Sequence, residues 1–67
     1  MPIVTIEVTR DGVTKKQKQQ LIKGATQLLK DVLDKEFNLT HVIIHEIDPD
    51  NWGMKGEQVT EIRKQQL

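Results

Sequence analysis

Alternation opens the chain. Val4, Ile6 and Val8 fall on one side of an extended segment and Thr5, Glu7 and Thr9 on the other, the two-residue period of a half-buried strand running from Pro2 to Thr9. Arg10-Asp11-Gly12 supplies turn chemistry, and Thr14 with Gln17 three positions on forms a capping box that satisfies two free backbone N–H groups. A helix is therefore predicted to start near Lys15. Leu21, Ile22, Ala25, Leu28, Leu29, Val32 and Leu33 recur at three- and four-residue spacing, while Lys18, Gln19, Lys23, Gln27, Lys30 and Asp34 mostly fill the opposite side. The helix is expected to be amphipathic and about five turns long.

After Lys35-Glu36-Phe37-Asn38, the run His41-Val42-Ile43-Ile44-His45-Glu46-Ile47 is rich in β-branched residues and predicts a second strand. Val42 and Ile44 face one way, Ile43 and Ile47 the other, so both sides of this strand want cover. One helix layer covers only one of them, which points to another subunit for the second. A helical connection between the strands implies parallel pairing with a right-handed crossover. Asp48-Pro49-Asp50-Asn51 reads as a loop, and Trp52-Gly53-Met54-Lys55-Gly56-Glu57 as a small hairpin or irregular turn that uses its two glycines. From Gln58 the tail is polar apart from Val59, Ile62 and Leu67, and its pattern assigns no element. The fold class expected is α+β: one β-α-β unit with parallel strands plus a short C-terminal hairpin, a single domain over residues 1–67, completed by oligomerisation.

Size sharpens the need for a partner. A chain of 67 residues buries only ~60% of the surface it exposes when unfolded. It contains no cysteine, so no disulfide can compensate and there is no thiol nucleophile; association with copies of itself is the remaining source of stability. Ten basic and ten acidic residues cancel, which removes the long-range field that gathers nucleic acid or anionic membrane. No basic leader precedes an apolar run, and no stretch approaches the ~20 apolar residues of a membrane span. These features suggest a soluble, cytoplasmic protein without nucleic-acid or membrane partners.

Familiar catalytic patterns are missing: no Ser-His-Asp arrangement, phosphate loop or dinucleotide fingerprint is present. His41 and His45 are the natural metal candidates, but four positions along a strand separate them by ~13 Å, too far to share one ion. They read as surface or interface histidines, and no metal site is expected. The unusual residue is Pro2, directly after the initiator Met1 and at the head of a strand. Removal of Met1 would leave a secondary amine without side-chain flexibility, fixed at a sheet edge. An apolar pocket and nearby cations would destabilise its charged form and make it a base near neutrality. The plain alternative is that Met-Pro merely begins the chain.

The rest of the sequence bears on that choice. Pro2-Ile3-Val4-Thr5-Ile6, the Thr14-x-x-Gln17-Lys18 helix start, Leu21-Ile22, Val42-Ile43-Ile44-x-Glu46 and Trp52-Gly53-x-x-Gly56-Glu57 together resemble the 4-oxalocrotonate tautomerase family, from Pro2 to about Arg63. The resemblance implies that Pro2 acts first as general base and then as acid, moving a proton of an enol or dienol to give a conjugated 2-keto acid, without a cofactor. The substrate it implies is a small carboxylate such as a 2-hydroxydienoate, of the kind met in the degradation of aromatic compounds. It further implies a homo-oligomer, a hexamer built as a trimer of dimers, in which an aromatic residue from a neighbouring subunit lines the pocket; Trp52 holds that place, as pocket wall, as interface residue, or as both.

Two departures matter. Where better-known members of the family carry substrate-gripping arginines, this chain has Val13 and His41. The cation for the carboxylate must then come from Arg10, in a turn one residue longer, or from His41. Arg10 could equally be a solvated turn charge or pair with Glu7 or Asp11, and Lys55 and Arg63 read as solvated charges. Two rival functions stay open: a hydratase or dehalogenase in which protonated Pro2 serves as acid, and a non-catalytic oligomeric binding module. A retained Met1 would favour the latter, because it turns the Pro2 nitrogen into a tertiary amide.

Overall fold

In the computed structural model, which describes residues 1–65, the chain runs through strand β1 (Ile3–Thr9), helix α1 (Lys15–Leu33) and strand β2 (His41–Ile47), then β3 (Gly53–Met54), β4 (Glu57–Gln58) and helix α2 (Val59–Gln65). Short 3₁₀ turns fill Phe37–Leu39 and Pro49–Asn51. β1 and β2 pair in parallel, in register from Ile3 opposite His41 to Thr9 opposite Ile47, and β3 and β4 form an antiparallel hairpin. The β-α-β unit and the hairpin stand where the sequence pattern puts them.

Local chemistry accounts for the boundaries. Thr14 Oγ1 accepts from the Gln17 backbone N–H at 3.1 Å, and Gln17 Oε1 accepts from the Thr14 N–H at 2.9 Å, so the capping box forms and the helix starts at Lys15. Its far end closes on Asp34, in the left-handed conformation at φ 55°, whose N–H donates to the Lys30 carbonyl at 3.0 Å. The hairpin turn has positive φ at both Lys55 (57°) and Gly56 (79°), the geometry a two-residue turn needs to match strand twist.

α1 covers one face of the β1–β2 sheet, where Val4, Ile6, Val8, Val42 and Ile44 are half-buried. The helix sits on this face differently from its expected stripe. Lys18 and Lys30, assigned by pattern to the solvent side, are half-buried, whereas Leu28 and Val32 remain 60% and 69% exposed. Two causes are visible. The Lys18 ammonium is drawn to the sheet by an ion pair with Glu46. The apolar stripe is also wider than a sheet of two strands, so its Leu21–Leu28–Val32 edge overhangs. Thr26, the most buried residue described at 7% exposure, tolerates that position because its hydroxyl donates to the Ile22 carbonyl at 2.7 Å.

Among the described residues nothing covers the opposite sheet face. Ile3, Thr5, Glu7, His41, Ile43 and His45 all lie exposed on it, and among the described residues no hydrophobic side chain is fully buried. The surface area of 5333 Å² exceeds the roughly 4300 Å² that a folded monomer of this mass presents. The radius of gyration of 15.3 Å likewise exceeds the roughly 11 Å of a globule of this length. The chain has the shape of a subunit.

The tail, left without an element by its pattern, forms α2. Only Val59 and Ile62 are apolar there and both are half-buried, too few positions to reveal a period. What anchors the segment is polar: the Val59 N–H donates to the Trp52 carbonyl at 2.8 Å, Gln58 Nε2 donates to the Asp50 carbonyl at 2.9 Å, and the Thr60 hydroxyl donates to the Asp50 carboxylate. Leu67 lies outside the described residues. The predicted loop at Asp48–Asn51 is a 3₁₀ turn whose Asp48 Oδ1 accepts from the Asp50 N–H at 2.9 Å.

Candidate active site

Pro2 is half-buried immediately before β1, and its carbonyl accepts from the His41 backbone N–H at 3.0 Å, extending the strand pairing by one bond. A proline is suited to this place because its missing N–H forfeits no ladder bond at the first position of a strand. The parallel register sets His41 at the head of β2, beside Pro2. These two sequence-nominated residues are therefore neighbours at one end of the sheet, with the His41 side chain on the uncovered face.

Arg10 and Trp52 occupy the other end. The Arg10 N–H donates to the Ile47 carbonyl at 2.8 Å, and its Nη2 lies 3.5 Å from the Glu46 carbonyl, so the residue is bound to the last turn of β2. The steps along the strand from Pro2 to Arg10, at ~3.3 Å each, separate the two by about 26 Å, beyond the reach of an arginine side chain in the same subunit. Trp52 follows the 3₁₀ turn after β2 and is half-buried; its N–H donates to the Pro49 carbonyl at 3.3 Å, and its own carbonyl holds the start of α2. One chain thus carries two candidate half-sites, Pro2 with His41 and Arg10 with Trp52, at opposite ends of its sheet, and within one subunit Pro2 and the Arg10 guanidinium do not meet.

Around Arg10 the structure shows partners that the pattern of residues did not reveal. Arg63, a solvated charge by its place in the polar tail, pairs instead with Asp11, and its Nη2 lies 3.3 Å from Thr9 Oγ1. The Thr9 hydroxyl donates to Asp11 Oδ1 at 2.6 Å, and this bond, with the Arg63 guanidinium, holds the Asp11 carboxyl below the usual aspartate range. A sequence separation of 52 between Asp11 and Arg63 leaves no local signal to read. On the uncovered face, His45 Nδ1 comes within 3.7 Å of Glu7 Oε1. Two surface grooves, of about 610 and 400 Å³, run along the first half of α1 and contain none of Pro2, Arg10, His41 and Trp52. Among the described residues no cluster of three or more histidine or carboxylate side chains converges to hold a metal ion, and no helix is long and apolar enough to cross a membrane.

Known proteins share this fold. Residues 2–62 match the family described as tautomerase enzyme. Probable tautomerase K2 of Dickeya dadantii (strain 3937) is 58% identical over 65 residues, covering 97% of each chain. The crystal structure of DmpI from Helicobacter pylori has a TM-score of 0.88 at 40% identity, over 94% of this chain and 97% of that one. A heterohexamer 4-oxalocrotonate tautomerase from Chloroflexus aurantiacus J-10-fl shares the fold, with a TM-score of 0.84 at 22% identity over 94% of this chain and 100% of that one. With its strand–helix–strand unit, its strand-leading proline and a family match over nearly its whole length, the chain belongs to the tautomerase family.

Proposed function

We propose that this protein is a cofactor-independent isomerase that transfers a proton between enol and keto forms of a 2-hydroxydienoate or related unsaturated 2-keto acid. The Pro2 amine, freed by removal of Met1, is the general base. It takes the proton of the 2-hydroxyl group; the electrons of that O–H bond form the carbonyl, the conjugated double bonds shift, and the proton held by the Pro2 nitrogen is delivered to a carbon of the diene. Pro2 ends neutral, ready for another turnover.

The observation that carries this reading is the seat of Pro2: a half-buried proline ring at a strand head, fixed by the 3.0 Å bond from the His41 N–H to the Pro2 carbonyl, whose nitrogen becomes a secondary amine once Met1 is removed. Two further features support it. Arg10 and Trp52 share the opposite end of the sheet, so a neighbouring copy docked end to end would offer a carboxylate-binding cation and an apolar wall to Pro2. Family membership supports the chemistry, and the bare sheet face supports a closed homo-oligomer, which we assign as a hexamer. His41 provides a second donor for the carboxylate or carbonyl from beside the amine.

The test is direct. Intact mass of the natively produced protein should show loss of Met1, and ultraviolet assays should show conversion of 2-hydroxymuconate and of phenylpyruvate enol. Pro2→Ala is expected to lower kcat by about 10²- to 10⁴-fold, the usual contribution of a positioned acid–base group. Equal rates in wild type and variant would remove Pro2 from the mechanism, and an acylated Pro2 nitrogen would leave no base.

A further inference from the structure

Arg10 and Asp11 are consecutive residues of a turn, where opposite charges ordinarily pair and cancel. Here they do not. Asp11 Oδ1 accepts from the Thr9 hydroxyl at 2.6 Å and Oδ2 is held by Arg63, so both carboxylate oxygens are engaged by donors other than Arg10. The Arg10 guanidinium turns the other way, toward the main-chain carbonyl of Glu46, a neutral acceptor 3.5 Å away. The carboxylate of that same Glu46 is occupied in turn by Lys18. Among the described residues no carboxylate pairs with Arg10, although acidic side chains lie on either flank.

From this we infer that Arg63 and Lys18 are positioning residues: they occupy Asp11 and Glu46, and thereby keep the charge of Arg10 uncompensated for a substrate carboxylate. The inference rests on the role given to Arg10 under the proposed function. A bound anion gains little from a guanidinium already neutralised by its neighbour, and much from one whose partner among the described residues is a carbonyl at the end of a long bond. An aspartate is ionised at neutral pH with or without a basic partner, so in the absence of Arg63 Asp11 would remain an anion free to capture Arg10. The arrangement makes the effect of Arg63 on KM conditional on Asp11, whereas a purely structural pair would show its coupling in stability and leave KM alone.

Steady-state kinetics of the assembled, Met1-processed protein with 2-hydroxymuconate tests this. Arg10→Ala is expected to raise KM at least about tenfold by loss of a charge-assisted contact. Arg63→Gln should raise KM about three- to tenfold with kcat nearly unchanged, and adding Asp11→Asn should return KM to within about twofold of wild type, because the competing anion is gone. Asp11→Asn alone should leave KM at or below the wild-type value, and this measurement stands whether or not Arg63→Gln assembles. A double variant no better than Arg63→Gln, or a raised KM in Asp11→Asn, overturns the inference while leaving Arg10 in its role. An unchanged KM in Arg10→Ala overturns that role, and the inference with it.

Discussion

His45 Nδ1 stands 3.7 Å from Glu7 Oε1, one side chain from each parallel strand, at directly opposed register positions on the sheet face that α1 leaves bare. Ile3 and Ile43 flank the pair at 62% and 41% exposure. In water such a pair contributes little. Under another subunit the pair would keep an imidazole beside the carboxylate in an apolar patch, where an unpartnered carboxylate would be costly. The face is thus prepared for cover, with its one acidic side chain already supplied with a partner.

Ile43→Asp puts a second carboxylate at the centre of that face. Each buried isoleucine lost forgoes about 1.5–3 kcal/mol, repeated in every copy, and the added charge costs more. The variant is expected to sediment as a monomer and to lose most of its helical circular dichroism. Assembly equal to wild type would show that this face is not an interface.

The division into half-sites makes a second prediction. Pro2→Ala and Arg10→Ala should each be poorly active alone, yet unfolding and refolding them together should recover activity. With two chain types drawn at random and each site built from two chains, about a quarter of sites combine an intact Pro2 with an intact Arg10. No recovery in the mixture would mean that both residues serve one site within a single subunit.

Much of this organisation was legible in the residues. The two-residue period of Val4, Ile6 and Val8, the Thr14–Gln17 box and the β-branched run of β2 each act through near neighbours, so sequence spacing carries them directly. α2 was not legible, because it is held by Trp52, Asp50 and Asp11 rather than by an apolar stripe of its own. Nor was the orientation of α1, which the Lys18–Glu46 pair turns toward the sheet. Within the candidate site, Pro2 and Trp52 could be nominated from their positions, but the distance between Arg10 and Pro2 follows from strand direction and length. The freedom of Arg10 from Asp11 depends on a residue far away in the chain.

The Asp11–Arg63 contact gives α2 a sensitivity to acid. The Asp11 carboxyl is depressed in the folded protein, chiefly by the Thr9 hydroxyl and further by Arg63. Its contribution is therefore complete above the ordinary aspartate value of about 3.9 and fades as pH falls below that through the lowered value. Fluorescence of Trp52, the single tryptophan, should shift as α2 loosens over that interval. Asp11→Asn should remove the transition; its persistence would assign the change to another carboxylate.

Thr14→Ala deletes the hydroxyl that accepts from the Gln17 N–H. Loss of such a cap costs about 1 kcal/mol, and Thr14 touches neither half-site. Urea unfolding at fixed protein concentration should move to lower denaturant by about that amount per chain, with KM unchanged. An unaltered midpoint would mean that water replaces the cap without cost.

A chain none of whose described apolar side chains is fully buried when it stands alone has a further property. For it, dilution acts as a denaturant: dissociation and unfolding become one event, and the melting temperature rises with the amount of protein present. A cell making too little of this protein would lose activity twice, once through fewer chains and again through the smaller fraction of them folded.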